Sequence, residues 1–178
     1  MLEPLVRIAK DPEYAAFAAF LQQRGAQHTA HSGHTFWAHL AGVHDLLARW
    51  GAARPLQLAG LFHSVYGTQV FAKASVPKTE RASVIRLIGE PAETLVWLFA
   101  HLPRPMLFEA SLRSGNFVWP HIDGQTPLQS EGQPNAVQSD LLVLECANLI
   151  EQRTVYKFPC LSRHAQTIGM LGGDGFSV

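Results

Sequence analysis

The sequence TFWAHLAGVHDLLARWGAARPLQLAGLFHSVYG, from Thr35 to Gly67, predicts two helices joined by a short turn. Thr35 can cap the first helix, and Gly51 can end it. Along this helix apolar residues recur at steps of three and four, which indicates one buried face. These residues are Phe36, Leu40, Val43, Leu46, Leu47 and Trp50. Pro55 opens the second helix, which is apolar on all sides and is therefore typical of the centre of a small domain.

Two histidines should meet where these helices pack. His39 lies one turn inside the first helix, and His63 lies near the end of the second. Because the connection between the helices is short, they should run antiparallel, so that the start of one faces the end of the other. At about 1.5 Å per residue, roughly 17 Å runs from His39 to Trp50 and roughly 12 Å from Pro55 to His63, a difference that the turn can absorb. We therefore expect the two imidazoles to meet across the interface.

Histidines are concentrated in this part of the chain, since six of the nine fall between His28 and His63. Imidazole is the commonest metal ligand and is well suited to proton transfer near neutral pH. His31, His34 and His101 are therefore candidates to complete a metal site with His39 and His63. His28 and His44 are expected at the surface, His44 because it adjoins Asp45 and lies on a different helix face from His39.

The rest of the chain also has helical periodicity, so we predict an all-α fold in a single compact domain over residues 1–178, with a core of about 12–155 and a partly flexible tail of about 160–178. A helix should open at Asp11 and Pro12 and end at Gly25. A helical pair should cover Thr79 to Ile88 and Pro91 to Leu102. Between Pro103 and Pro134, five of the eleven prolines predict a long loop between the last two core helices, with one helical turn near Met106 to Leu112. Helical spacing returns from Ala136 to Arg153.

Composition favours a small-molecule partner and excludes several classes of protein. The 178 residues are 47% hydrophobic and 16% charged with a formal net charge of zero, which argues against disorder and against a nucleic-acid surface. Two isolated cysteines indicate neither a disulfide framework nor a zinc knuckle. The first residues are broken by charges before an apolar run forms, so no signal peptide or membrane span is expected. The resulting expectation is a cytoplasmic protein, with a homodimer as one candidate assembly.

The segments SGHTFWAHLAGV, AGLFHSV and CANLIEQ resemble the HD superfamily of helical metal-dependent phosphohydrolases, over roughly Ala26 to Gln152. In that superfamily one His, a His-Asp pair and a later Asp bind the metal. The resemblance places His39, then His63 with Ser64, and Asn148 at those positions. The spacing of SGHTFWAH and the segment ERASVIRLIGEPAETLVWL are similar to the branch that hydrolyses guanosine tetraphosphate alarmones. The closest resemblance is to an uncharacterised HD-like family of bacteria and plants in which His-Ser replaces His-Asp, and it implies a fold rather than an activity.

The departures from the HD pattern are chemical. Ser64 and Asn148 offer neutral oxygens where the superfamily has carboxylates, and neutral oxygens are weaker ligands for a divalent cation. A remodelled site of His39, His63 and a third imidazole would suit iron, zinc or manganese. Glu145 could replace Asn148 only if their helix were rotated. Alarmone hydrolysis is not predicted, because HSVYGT lacks the accompanying acidic residues.

Chemistry without a metal is also open at this position. His63, flanked by Ser64 and Tyr66 and facing His39, could act in general acid–base catalysis. A Ser64 nucleophile is disfavoured because the GxSxG elbow is absent. Candidate substrate-binding residues are Asn148, Gln152, Arg81, Arg104 and Trp119, the last as a side chain that closes over a ligand.

Two hypotheses follow. The first is an HD-like enzyme for a small organic or phosphorylated metabolite, acting as a hydrolase, an oxygenase or a metal-independent histidine acid–base catalyst. The second is a non-catalytic ligand-binding or scaffold protein that retains the HD fold.

Overall fold

Helices make up most of the computed structural model, which describes residues 12–25, 30–31, 34–67, 74–122 and 129–167, and the predicted all-α class is confirmed. The helices are α1 (Pro12–Gln23), α2 (Phe36–Arg49), α3 (Arg54–Phe62), α4 (Arg81–Ile88), α5 (Glu90–His101), α6 (Met106–Ser114), α7 (Ala136–Glu151) and α8 (Pro159–Thr167). Short 3-10 turns cover Lys78–Glu80 and Val155–Lys157. A two-residue antiparallel hairpin, β1 (Ala30–His31) with β2 (His34–Thr35), precedes α2. No helix in these described ranges has the length and apolar character that a bilayer span requires.

The chain divides into two compact units, Met1–His101 and Leu102–Val178. The first unit contains α1 to α5 and the second contains α6 to α8. The single domain expected for residues 1–178 stays a prediction.

The first unit is organised around α2 and α3, with α3 also packed against α5 and α4 against α5. The Thr35 hydroxyl accepts a hydrogen bond of 3.2 Å from the backbone N–H of Ala38, so the predicted N-cap is confirmed. A proline stands in the first turn of α3, as predicted. Gly89 separates α4 from α5 with a φ of 83°, a value that favours glycine. The predicted opening at Asp11 lies outside the described residues.

The second unit shows one helix that sequence analysis missed. The tail was expected from about residue 160, but α8 covers Pro159–Thr167, and Leu161 and Ala165 are fully buried. The buried Glu109 carboxylate, on α6, accepts hydrogen bonds of 2.9 Å from the backbone N–H groups of Cys160 and Leu161. Although burial raises the pKa of Glu109, these backbone bonds hold it below its usual value. The carboxylate thereby caps α8, a long-range contact that no local pattern signals; the rest of the predicted tail lies outside the described residues.

Candidate functional site

His39 and His63 meet as the sequence predicts. Their Nε2 atoms lie 3.1 Å apart, and the ring planes are inclined at 76°. Both side chains are buried, with 1% and 0% exposure. The rings of His63 and Phe99 also meet in a T-shaped arrangement, with their centroids 5.5 Å apart. Two imidazoles are therefore held together in a largely apolar interior.

Gly60 positions this pair in two ways. A Cβ atom built on Gly60 would lie 2.5 Å from Cδ1 of Leu47 and 3.5 Å from Cα of His44, so glycine allows α3 to approach α2 closely. Its carbonyl oxygen accepts a 2.7 Å hydrogen bond from Nδ1 of His63. Since a carbonyl cannot donate, Nδ1 of His63 must carry a proton. In neutral His63 the lone pair of Nε2 then faces His39.

The separation of the two Nε2 atoms suits two kinds of occupant. One is a proton carried by His39 Nε2, which would make the 3.1 Å contact a hydrogen bond. The other is a metal ion, because two nitrogens bound at about 2.0–2.1 Å to one ion lie roughly 3.0–3.4 Å apart. Metal-bound histidines usually donate their second N–H to a carbonyl or carboxylate, as His63 does to Gly60. The imidazole pair therefore fits as half of a metal site.

The third ligand is not found among side chains that the structure describes. Over those residues, no group of three His, Cys, Asp or Glu side chains is placed to hold a metal ion. His101 instead donates through Nδ1 to the Trp97 carbonyl at 2.7 Å and packs on the Trp97 ring. Of His31 and His34 only the backbone is described, as paired residues of the hairpin that leads directly into α2.

Ser64 and Tyr66 follow His63 in a buried turn, where Tyr66 has a structural partner. The Tyr66 hydroxyl donates a 3.0 Å hydrogen bond to Glu93, a fully buried carboxylate on α5. Burial, together with the charge of Glu93, raises the pKa of Tyr66 well above its ordinary value. Arg81 donates to both oxygens of Glu93, at 2.7 and 2.9 Å, and its guanidinium lies 4.3 Å from the centroid of the Trp97 ring.

These contacts revise the roles expected for Tyr66 and Arg81. The Arg81 guanidinium is bound bidentately by a carboxylate of its own chain, so its predicted role in binding a substrate anion is not supported. The Tyr66 hydroxyl is directed to the same carboxylate. Sequence analysis missed Glu93; the signal was an acidic residue inside the otherwise apolar run of AETLVWLF.

Three further predicted residues lie in the second unit. Arg104 donates a 2.9 Å bond to Glu145, and the side chains of this pair are 7% and 0% exposed. Gln152 donates through Nε2 to Oδ1 of Asn148 at 2.9 Å. Arg104, a candidate substrate-binding residue, is thus part of a buried ion pair. Glu145, considered above as a substitute for Asn148 in a metal site, is the partner of Arg104 in that pair.

Trp119, predicted to close over a ligand, is packed inside its own unit. It is 1% exposed, stacks on Phe108 with ring centroids 4.6 Å apart, and donates through Nε1 to the Ser111 hydroxyl at 2.9 Å. Its closure over a ligand stays a prediction, and these contacts give the side chain a structural role beside it.

His44 was placed at the surface by sequence analysis and is in fact buried, with 6% exposure. Its Nε2 lies 2.9 Å from the Tyr14 hydroxyl, which also accepts a 3.1 Å bond from Arg54. Burial is the main reason that the pKa of His44 falls from 6.5 to about 4. The missed signal was periodicity, since His44 continues the buried arc of Leu40 and Leu47 at steps of four and three.

Comparison with known proteins gives one match. The family model described as "Domain of unknown function (DUF6817)" matches residues 20–104, slightly less than half of the chain. The matched region includes α2 to α5 and both members of the His39–His63 pair. A search of the curated proteins and a search of the solved structures found no match.

Proposed function

We propose that this chain is an HD-like enzyme that acts on a small organic or phosphorylated metabolite at the His39–His63 pair. The observation that carries the proposal is the 3.1 Å approach of two buried Nε2 atoms, one of which has its lone pair directed at the other. Two buried imidazoles whose Nε2 atoms face each other can share a proton or bind a cation, and this capacity supports a functional role.

His39 and His63 would hold a divalent cation, with iron, zinc or manganese as the candidates. Such an ion would supply a Lewis acid that polarises a substrate oxygen or activates water. The chain's own contribution is orientation: Gly60 fixes the tautomer of His63 through its carbonyl oxygen. His31 and His34 pair in the hairpin that leads directly into α2, the helix of His39. We propose one of these two histidines as the third donor. The neutral Ser64 and Asn148 make this donor set different from the HD pattern.

Metal analysis of the purified protein tests this function directly. Wild type should bind about one equivalent of iron, zinc or manganese after incubation with each ion and desalting, while His39→Asn and His63→Asn should lose most of it. His44→Asn is the matched control, because His44 is another buried histidine on the same helix and should leave the metal content unchanged. Equal metal content in all four proteins, or none in wild type after loading, would overturn metal binding by the pair.

A non-catalytic ligand-binding or scaffold role is the second candidate. It is favoured by the structural partners found for Tyr66, Arg81, Arg104 and Trp119, four residues expected to contact substrate. A panel of phosphorylated and unphosphorylated metabolites, assayed for turnover and for thermal stabilisation, separates the two. Turnover that disappears in His63→Asn supports the enzyme, whereas stabilisation by a ligand that is never consumed supports the second role.

The zero net charge supports a small-molecule partner rather than nucleic acid or a membrane surface. The two free, buried cysteines support a cytoplasmic location. A homodimer is an accompanying proposal that gel filtration with light scattering would test.

A further inference from the structure

The second unit contains a buried carboxylate whose bonding is incomplete. Glu145 on α7 is fully buried, and its Oε2 accepts a 2.9 Å bond from Arg104. Among the described residues, its Oε1 has no hydrogen-bond partner. Glu93, which is also fully buried, is bonded at both oxygens by Arg81 and at one of them by Tyr66 as well. Glu145 is therefore the less satisfied charge and the more sensitive to what lies beside it.

Asn148 is the neighbour that matters, because it lies one helical turn further along α7 and is 4% exposed. Its Oδ1 accepts from Gln152 at 2.9 Å, which leaves the amide NH2 group as its donor. Burial raises the pKa of Glu145 above its usual value, while the charge and hydrogen bond of Arg104 and the nearby Asn148 amide oppose that rise. The Asn148 amide thus accepts from Gln152 and lies next to Glu145.

We infer that Glu145, as the ion-pair partner of Arg104, holds the negative charge of this region and that position 148 must remain neutral because of it. The HD resemblance leads one to expect an acid at position 148, and the amide found there does not fit a metal-ligand role. Its oxygen is uncharged and already accepts from Gln152, and its nitrogen cannot ligate a cation. Asn148 is instead a positioning residue for the Glu145–Arg104 pair.

An aspartate at position 148 would be unfavourable because of where its two carboxylate oxygens would lie. One oxygen could still accept from Gln152, as Oδ1 of Asn148 does. The other would replace the NH2 group and direct a second negative charge at a buried carboxylate that has a single arginine partner. Like charges that share a buried site cannot both ionise without a large penalty. The acid at position 145 therefore excludes an acid at position 148.

A charge-exchange cycle tests the inference by thermal unfolding, with no metal and no activity assay. Asn148→Asp should lower the Tm by about 10 °C, whereas the neutral control Asn148→Ser should lower it by less than half as much. Glu145→Gln should also lower the Tm, since Arg104 loses its charged partner. In the Glu145→Gln background, Asn148→Asp should cost about 2 °C or less, because the opposing carboxylate is gone.

The coupling between the two positions decides the outcome. Additive Tm changes, or an Asn148→Asp protein as stable as wild type, would overturn the inference. If Asn148→Asp does not fold but the double variant does, the inference is supported. If neither folds while Glu145→Gln does, it is overturned, since an acid at 148 would then be rejected without Glu145. The inference does not depend on metal binding at the His39–His63 pair, so the two proposals can fail separately.

Discussion

His39 and His44 lie on the same helix, both buried, yet their surroundings differ in kind. His39 faces a second imidazole whose lone pair is directed at it, and that contact can hold either a proton or a cation. His44 faces a phenol that already accepts from Arg54, and its burial keeps the ring neutral. Burial alone therefore does not identify a functional histidine. A functional histidine is identified instead by a neighbouring group with which it can share either a proton or a metal ion.

The largest effect that separates these regions should come from His44→Ala. Removing the ring deletes an edge-on contact with Tyr14 at a centroid distance of 4.9 Å and leaves a cavity beside buried Leu40 and Leu47. The free energy of unfolding should fall by about 3 kcal/mol, measured by urea denaturation. His44→Phe keeps the aromatic volume and should recover part of this loss. Metal content should stay at the wild-type value in both variants, and a parallel loss of metal would contradict the separation of the two regions.

Acidification should destabilise the protein through His44. Its pKa is about 4 in the folded state against 6.5 when unfolded, so below pH 6.5 the unfolded chain takes up a proton that the folded protein does not. Stability from this group is complete above pH 6.5 and falls as the pH approaches 4. The loss should be about 2 kcal/mol at pH 5.

Urea titrations at several pH values would measure this loss, with His44→Gln as the control because glutamine does not titrate. The slope between pH 6.5 and 4 should flatten in that variant. Some slope should remain, since burial also lowers the pKa of His164. An unchanged slope would show that His44 is not held neutral.

The α2–α3 pair could be predicted because its signals are local: a threonine cap, apolar spacing, a proline start and a short turn. The same signals predicted the contact between His39 and His63, because helix rise and turn length determine which helix ends meet. The partners of the charged residues could not be predicted in this way. Arg81 with Glu93 and Arg104 with Glu145 depend on how whole helices are placed, and no residue pattern near either arginine specifies that placement. His44 shows a different failure, since its neighbour Asp45 suggested solvent while the helical arc indicated burial.

A smaller effect should come from Tyr66→Phe, which extends the comparison to the turn after His63. The phenylalanine keeps the contact with the Trp97 ring but removes the hydroxyl that donates to Glu93. Because Arg81 still binds both oxygens of that carboxylate, the loss should be limited to about 1.5 kcal/mol of unfolding free energy. Metal content should be unchanged. If the variant instead lost metal or turnover at wild-type stability, Tyr66 would belong with the histidine pair after all.

The smallest effect should come from Thr35→Ala, which acts on the support that both histidines share. The substitution removes the hydroxyl that accepts from the Ala38 backbone N–H at the start of α2, at a cost of about 1 kcal/mol in urea denaturation. Thr35→Ser is the control, since serine retains the cap. Because α2 carries both His39 and His44, uncapping should lower stability equally at pH 7 and pH 5 and should leave metal content unchanged in the folded protein. A loss of metal that exceeds the loss of folded protein would show that the first turn of α2, next to the hairpin of His31 and His34, takes part in the site.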